Sequence, residues 1–323
     1  MNNQKTLKES IEFNGLGLHT GKKVCLVIIP ARENHGIKFQ RIDLPGAPIV
    51  PADIDLVKDT QRSTTLELNN VKIITVEHLM SALYALGVNN VLVKMNNSEV
   101  PILEKKKKIF VDEIQKVGLK DQNAPLKFIN LPNPINYSDF ESGAEILFVP
   151  ANNFILSVVL DYQNPVLGTQ YAEIRNLENY PEEIAPCKTF VLLTELEKLA
   201  QANLIKGGDL QNAIVLVDRD EIKIQEIKKL AHLLGKDDTD IQVNGNVLNN
   251  CELQFFNEPA RHKLLDVIGD LALIGMPIMG HIITKKPGHK LNTSFAQILK
   301  KAMKEQEKSP RKFDLTKKPL YDI

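Results

Sequence analysis

The segment Asn257-Glu-Pro-Ala-Arg-His-Lys-Leu-Leu-Asp-Val-Ile-Gly-Asp270 leaves this chain little freedom in how it folds. Asn257 is a good N-cap and Pro259 is tolerated in a first turn. Leu264, Leu265, Val267, Ile268 and Leu271 cover most of the remaining surface, so the sequence predicts a buried helix ending at Gly275. Yet His262, Asp266 and Asp270 recur every four residues and form one polar stripe on it. Desolvating an imidazole and two carboxylates is costly unless a metal, a counter-charge or hydrogen bonds compensate. Two readings stand at this point: a specific polar site, or a helix face that meets water.

The 323 residues, 43% hydrophobic and 25% charged, suit a soluble globular chain long enough for two domains. A formal net charge of +0 exerts no overall pull toward nucleic acid or an anionic membrane, and neither is expected as a partner. Cys25, Cys187 and Cys251 form no CxxC pair and no disulfide framework, which fits a reducing cytoplasm. The first ten residues hold no apolar core of a signal peptide, and no stretch reaches the roughly 20 apolar residues of a membrane span. The expected location is therefore cytoplasmic, without stable membrane insertion.

Short strands bounded by Pro, Gly and Asn turns are predicted at 23–29, 36–40, 63–68 and 91–93. A helix over 75–86, capped at Thr75 and stopped at Gly87, interrupts them, and a second helix follows near 109–117. Residues 121–125 read as a linker. The second half repeats the order, with strands at 144–149 and 154–160, the 257–275 helix, and a strand at 281–284 before a Pro287-Gly288 turn carrying His289. Each half thus offers strands and then a helix with a histidine in its first turns, Glu77-His78 and Arg261-His262. The fold class expected is α+β, two similar two-layer sheet/helix sandwich domains. Their bounds are 1–124 and 125–305. A strand-helix-strand insertion lies at about 187–218, helical over 194–202 and extended over 213–217, and a Lys-rich linker-like tail fills 306–323.

The glycines of Gly15-Leu-Gly-Leu-His-Thr-Gly-Lys22 do not have phosphate-loop spacing, and no dinucleotide fingerprint is present. Hydrolytic zinc needs three protein ligands, an open position for water and a nearby base. Among His19, His35, His78, His232, His262, His281 and His289, the i, i+4 pair His262/Asp266 is a plausible two-point ligand and His78 a natural third. Glu77 then stands where a carboxylate can take a proton from water. Without an HExxH motif the pattern is only moderately specific. A surface helix start remains the plain reading of Glu77-His78, and a loop histidine that of His289.

The strings Leu16-Gly-Leu-His-Thr-Gly-Lys22, Thr75-Val-Glu-His-Leu79, Lys188-Thr-Phe190, Arg261-His-Lys-Leu-Leu-Asp-Val-Ile-Gly-Asp-Leu271 and Pro287-Gly-His289 occur in this order. Together they closely resemble the UDP-3-O-acyl-N-acetylglucosamine deacetylases, zinc amidases of the committed step of lipid A synthesis, from Thr6 to about Ala302. The resemblance implies two α+β sandwich domains with the active site between them, and one catalytic Zn2+ on His78, His262 and Asp266, with Glu77 as general base and His289 as general acid. It further implies that Asp270 holds His289 protonated, that Thr189 donates to the developing oxyanion, and that Lys263, Phe190 and Leu18 bind the UDP-linked acylated amino sugar. Val191, Leu192, Leu193, Leu196, Leu199 and Leu204 would line an apolar passage for the acyl chain, with helical core as the plain alternative.

Three departures accompany the resemblance. The family's Asp-Gly-Ser loop is replaced by Pro101-Ile-Leu-Glu-Lys-Lys-Lys-Lys-Ile-Phe110, which predicts reduced or altered activity and leaves a degenerate, binding-only homologue as the alternative function. Lys105–Lys108 reads as a solvated patch. Ser63 stands where some members carry a cysteine near the metal. The ending Pro319-Leu-Tyr-Asp-Ile323 resembles the junction to a hydroxyacyl-carrier-protein dehydratase, whose catalytic part is absent, so no dehydratase activity is expected. The chain is expected to act as a monomer, or in a fusion-type assembly where a dehydratase is encoded downstream. A two-histidine, one-aspartate set also accepts Fe2+.

Overall fold

A computed structural model describes residues 3–103, 108–161, 164, 168–201, 213–219, 223, 225–226, 228, 243–244, 247–248 and 253–308. In chain order the first part runs β1 (Asn3–Leu7), β2 (Ile11–Leu16), β3 (Lys23–Pro30), β4 (Ile37–Arg41), β5 (Ile49–Pro51), β6 (Val57–Asp59), β7 (Thr65–Leu68), β8 (Val71–Ile73), α1 (Glu77–Ala85), β9 (Val91–Met95), α2 (Ile109–Val117) and β10 (Leu119–Pro125). The rest runs β11 (Ile135–Asp139), β12 (Ala144–Val149), β13 (Phe154–Asp161), β14 (Thr169–Ile174), α3 (Tyr180–Glu183), β15 (Thr189–Leu192), α4 (Leu193–Gln201), β16 (Ala213–Leu216), β17 (Val243–Asn244), β18 (Val247–Leu248), α5 (Glu258–Ala272), β19 (Gly280–Lys285) and α6 (His289–Lys308). Among the described residues no helix is long and apolar enough to cross a membrane.

The fold is mixed, with several sheets and helices. Two five-stranded sheets share one plan, β2-β3-β9-β4-β5 and β11-β12-β19-β13-β14. In each, the strand latest in the chain sits in the middle, antiparallel to one neighbour and parallel to the other. A parallel neighbour demands a crossover, and the helices α1 and α5 precede β9 and β19. The weak duplication read from the sequence is thus present as equal strand order and sense. Alternation seats each sheet on its core: Val24, Leu26 and Ile28 of β3 point inward, as do Leu156, Val158 and Leu160 of β13.

Helices α1 and α5 pack directly on one another, and α5 also lies on β13 and β14. Their approach is set by Gly269, where a Cβ would lie 2.0 Å from the Glu77 carbonyl oxygen. Only glycine allows the α5 backbone so near the first turn of α1. That crossing brings Glu77 and His78 against the polar stripe of α5.

Several expectations need correction. Residues 121–125 are not a linker but the end of β10, paired antiparallel with β1. Thr75 does not cap α1; it adopts a left-handed backbone (φ 59°), its hydroxyl donates to Glu99, and Val76 precedes the helix. Asn257 stands at the α5 cap position, but its side chain donates to the Tyr171 carbonyl and accepts from Arg261. His289 is not in a turn; it is the first residue of α6, which runs through Lys308 into the region read as tail. The insertion's sheet, β15-β16-β18-β17, continues beyond residue 218 to Leu248. Cys251, His232, Leu204 and the tail from 309 lie outside the described residues, as do residues 104–107.

Candidate active site

The stripe of α5 does not face water. His262, Asp266 and Asp270 are all buried, and α1 brings Glu77 and His78 to them while α6 brings His289. Of the seven histidines, these three gather at one place. His35 is half-buried beside Gly36, and His281 lies 2.9 Å from Ser157 on the second sheet.

His78 Nε2 and His262 Nε2 lie 3.7 and 3.4 Å from the same oxygen, Asp266 Oδ1, and the three ligand atoms fall within 4.8 Å of one another. Ligands on one tetrahedral ion with bonds of roughly 2.0–2.1 Å stand about 3.3 Å apart, so this spacing fits a shared cation. Asp266 Oδ1 is buried and has no hydrogen-bond partner among the described residues, the state of an oxygen whose partner is an ion. The other oxygen, Oδ2, accepts from Lys263 Nζ at 2.9 Å.

Electrostatics agree with that donor set. Burial, together with the neighbouring His262, pushes the His78 imidazole down to about 3, and burial lowers His262 as well, so both offer neutral lone pairs. Burial alone would raise Asp266, but Lys263 and the imidazoles beside it hold the carboxyl well below its usual range. His262 Nδ1 points at the Cys187 carbonyl, 3.2 Å away, and this outer contact aims Nε2 at the cluster.

Next to these atoms stand two groups whose proton affinity is raised for different reasons. Burial raises Glu77 to about 7, reinforced by the carboxylates of Asp270 and Asp266 against the counter-effect of His289. Burial would lower His289, but Asp270 Oδ2, 2.9 Å from Nδ1, raises it to about 9. Asp270 itself is satisfied by three donors: His289, Asn292 Nδ2 at 2.9 Å and the Thr64 hydroxyl at 2.5 Å.

The residues expected at the substrate take more varied positions. Phe190 stands edge-on to His262, ring centroids 6.5 Å apart, with Lys263 Nζ 5.5 Å from its ring centre. Phe190 also packs with Leu192 on the insertion's cluster of Ile214, Leu216 and Val247, while Leu193 and Leu196 are buried. Thr189 opens β15 and, with Lys188, His78 and His262, lines a cavity of about 130 Å³ walled by Ala82, Ile102, Phe110 and Pro186. Leu18 is half-buried in the turn after β2, beside His19, which lies near enough to feel the charge of His289. Lys108, read as solvated, instead pairs with Glu182 at 2.6 Å.

Three contributors were missed. Thr64 and Asn292 donate to Asp270, and neither stands out in a strand-like Ser-Thr-Thr or an amphipathic helix. Glu99, fully buried, accepts from the His19 and Thr20 amides and the Thr20 hydroxyl, so the glycine-rich turn is moulded on one carboxylate. Gly17 is required there because a Cβ would lie 2.3 Å from Glu99 Oε2.

A family model described as UDP-3-O-acyl N-acetylglycosamine deacetylase matches residues 4–231 and 219–301. A bifunctional enzyme LpxC/FabZ of Bacteroides thetaiotaomicron is 43% identical over 99% of this chain and 69% of its own length. The protein of the same description from Porphyromonas gingivalis is 39% identical over 100% of this chain and 70% of its own. A UDP-3-O-acyl-N-acetylglucosamine deacetylase of Teredinibacter turnerae is 36% identical over 94% of this chain and 91% of its own. The resemblance carried by the five strings is borne out.

Proposed function

The chain belongs to the UDP-3-O-acyl N-acetylglycosamine deacetylase family, and on that premise we propose that it hydrolyses the N-acetyl group of UDP-3-O-(3-hydroxyacyl)-N-acetylglucosamine, the deacetylase step of lipid A biosynthesis. The observation that carries this reading is the opposed pair Glu77 and His289, both buried, flanking the His78, His262 and Asp266 ligand set.

A zinc ion held by His78, His262 and Asp266 supplies Lewis acidity to water and to the amide carbonyl. Glu77, as base, takes the proton of the attacking water. Burial supports this role, because it makes the carboxylate more basic than one in solvent. His289, kept protonated by Asp270, delivers a proton to the departing amine nitrogen, so the sugar leaves as the free amine and acetate as the carboxylate. Thr189 donates to the carbonyl oxygen as negative charge grows on it. Lys263 carries positive charge beside Phe190, which supports a place for it on the anionic nucleotide side. The same ligand set also suits Fe2+.

We read the architecture as two similar α+β sandwich units meeting at the site. The equal sheet plans support this, as does the return of β10 onto β1, which closes the first unit near residue 124. A complete ligand, base and acid set within one chain supports a monomer as the working unit. We place the protein in the cytoplasm, a reading supported by cysteines that form no CxxC pair. The test is metal content with acetate release: wild type should hold one zinc per chain and release acetate, and His262→Ala should lose both. Purified protein without zinc would remove the reading.

A further inference from the structure

Thr64 lies immediately before β7 and is completely buried. Its backbone N–H donates to Glu77 Oε2 at 3.0 Å, and its carbonyl accepts from Val76 N at the entry to α1. Its hydroxyl donates to Asp270 Oδ1 at 2.5 Å, while the oxygen stands 3.3 Å from His289 Nδ1. A hydroxyl has one hydrogen, and the short contact assigns it to the carboxylate. Its lone pairs are left facing the imidazole N–H, whose main acceptor is Asp270 Oδ2. Among the described residues Thr64 alone hydrogen-bonds both Glu77 and Asp270, whereas Asn292 reaches only Asp270.

Resting on the deacetylase reading, we infer that Thr64 is a positioning residue that fixes the base and the acid relative to one another. The main chain aims the Glu77 carboxylate, and the hydroxyl orients Asp270 and through it His289. These groups come from three different helices, so their relative placement is not set by any one element. A residue bonded to both sides holds the separation that a proton taken at one and given at the other requires. Pure packing would need no hydroxyl at this point, since valine has the same shape.

The experiment is steady-state deacetylation by zinc-loaded wild type, Thr64→Val and Thr64→Ser, with thermal midpoint and zinc content measured on each. Hydrogen bonds to charged groups are worth about 1.5–3 kcal/mol, so Thr64→Val should lose about 10- to 100-fold in kcat with KM within about twofold. Thr64→Ser should recover most of the rate. In an Asp270→Ala background the further loss on Thr64→Val should shrink to less than about threefold, because the group acted upon is gone. If Thr64→Val does not fold, Thr64→Ala carries the same expectations. Wild-type kcat in the valine variant, or an undiminished loss beside Asp270→Ala, overturns the inference while the deacetylase reading stands. No acetate from wild type removes both.

Discussion

His289 keeps its proton through neutral pH because Asp270 accepts from its Nδ1 inside the core, and that carboxylate is in turn held by Thr64 and Asn292. Its titration near 9, above the ordinary 6.5, has two consequences. The stability it contributes is complete below about pH 6.5 and is lost as pH rises through about 9. In its proposed role as the acid it should also set the alkaline limb of kcat/KM near 9, and Asp270→Asn should move that limb to lower pH; a pH–rate profile of both proteins checks this. Glu77→Gln should cost about 10²- to 10⁴-fold in kcat, read as acetate released. The residues of the site were legible in the sequence for different reasons. His262, Asp266 and Asp270 showed as polar groups on an otherwise apolar helix, whereas Glu77 and His289 became distinctive through their neighbouring strings. Thr64 and Glu99 were not legible, because their meaning lies in partners 206 and 80 positions away in the chain.

The element that positions the chemistry is the crossing of α1 over α5, and Gly269 is its closest point. A methyl group at 269 would have to share space with the Glu77 carbonyl, so Gly269→Ala should destabilise by about 1–3 kcal/mol or more. A thermal melt should show a drop of several degrees, with kcat falling alongside. Helix and strand positions followed from local pattern, since β3 alternates, β13 is a short apolar run and α5 is buried on nearly every side. Caps and connections did not follow. Asn257 serves tertiary contacts with Tyr171 and Arg261 rather than its own helix, and β10 carries polar residues because one face of its pairing with β1 is exposed. Glu258 is similar: a carboxylate at a helix start reads as ordinary, yet here it is buried and accepts from the Lys188 and Gln254 amides, fixing the chain that leads to Thr189.

Over the whole molecule, two sheets share one strand order and sense, and the candidate ligand set draws on two helices, His78 from α1 and His262 with Asp266 from α5. A cation bound there joins distant parts of the chain and stabilises the folded state by mass action, about 2.7 kcal/mol at a hundred times its dissociation constant. A chelator should therefore lower the thermal midpoint of wild type and leave that of His262→Ala unchanged. The duplication was visible only as a recurring strand-then-helix order, because sheet order depends on pairings the local pattern does not encode. The most direct test of the account is acetate release from UDP-3-O-(3-hydroxyacyl)-N-acetylglucosamine by zinc-loaded wild type beside zinc-loaded Glu77→Gln. The account predicts turnover by wild type and at least about a hundredfold loss in the variant with its metal retained. No acetate from the metal-loaded wild type, or an unchanged rate in Glu77→Gln, would contradict it.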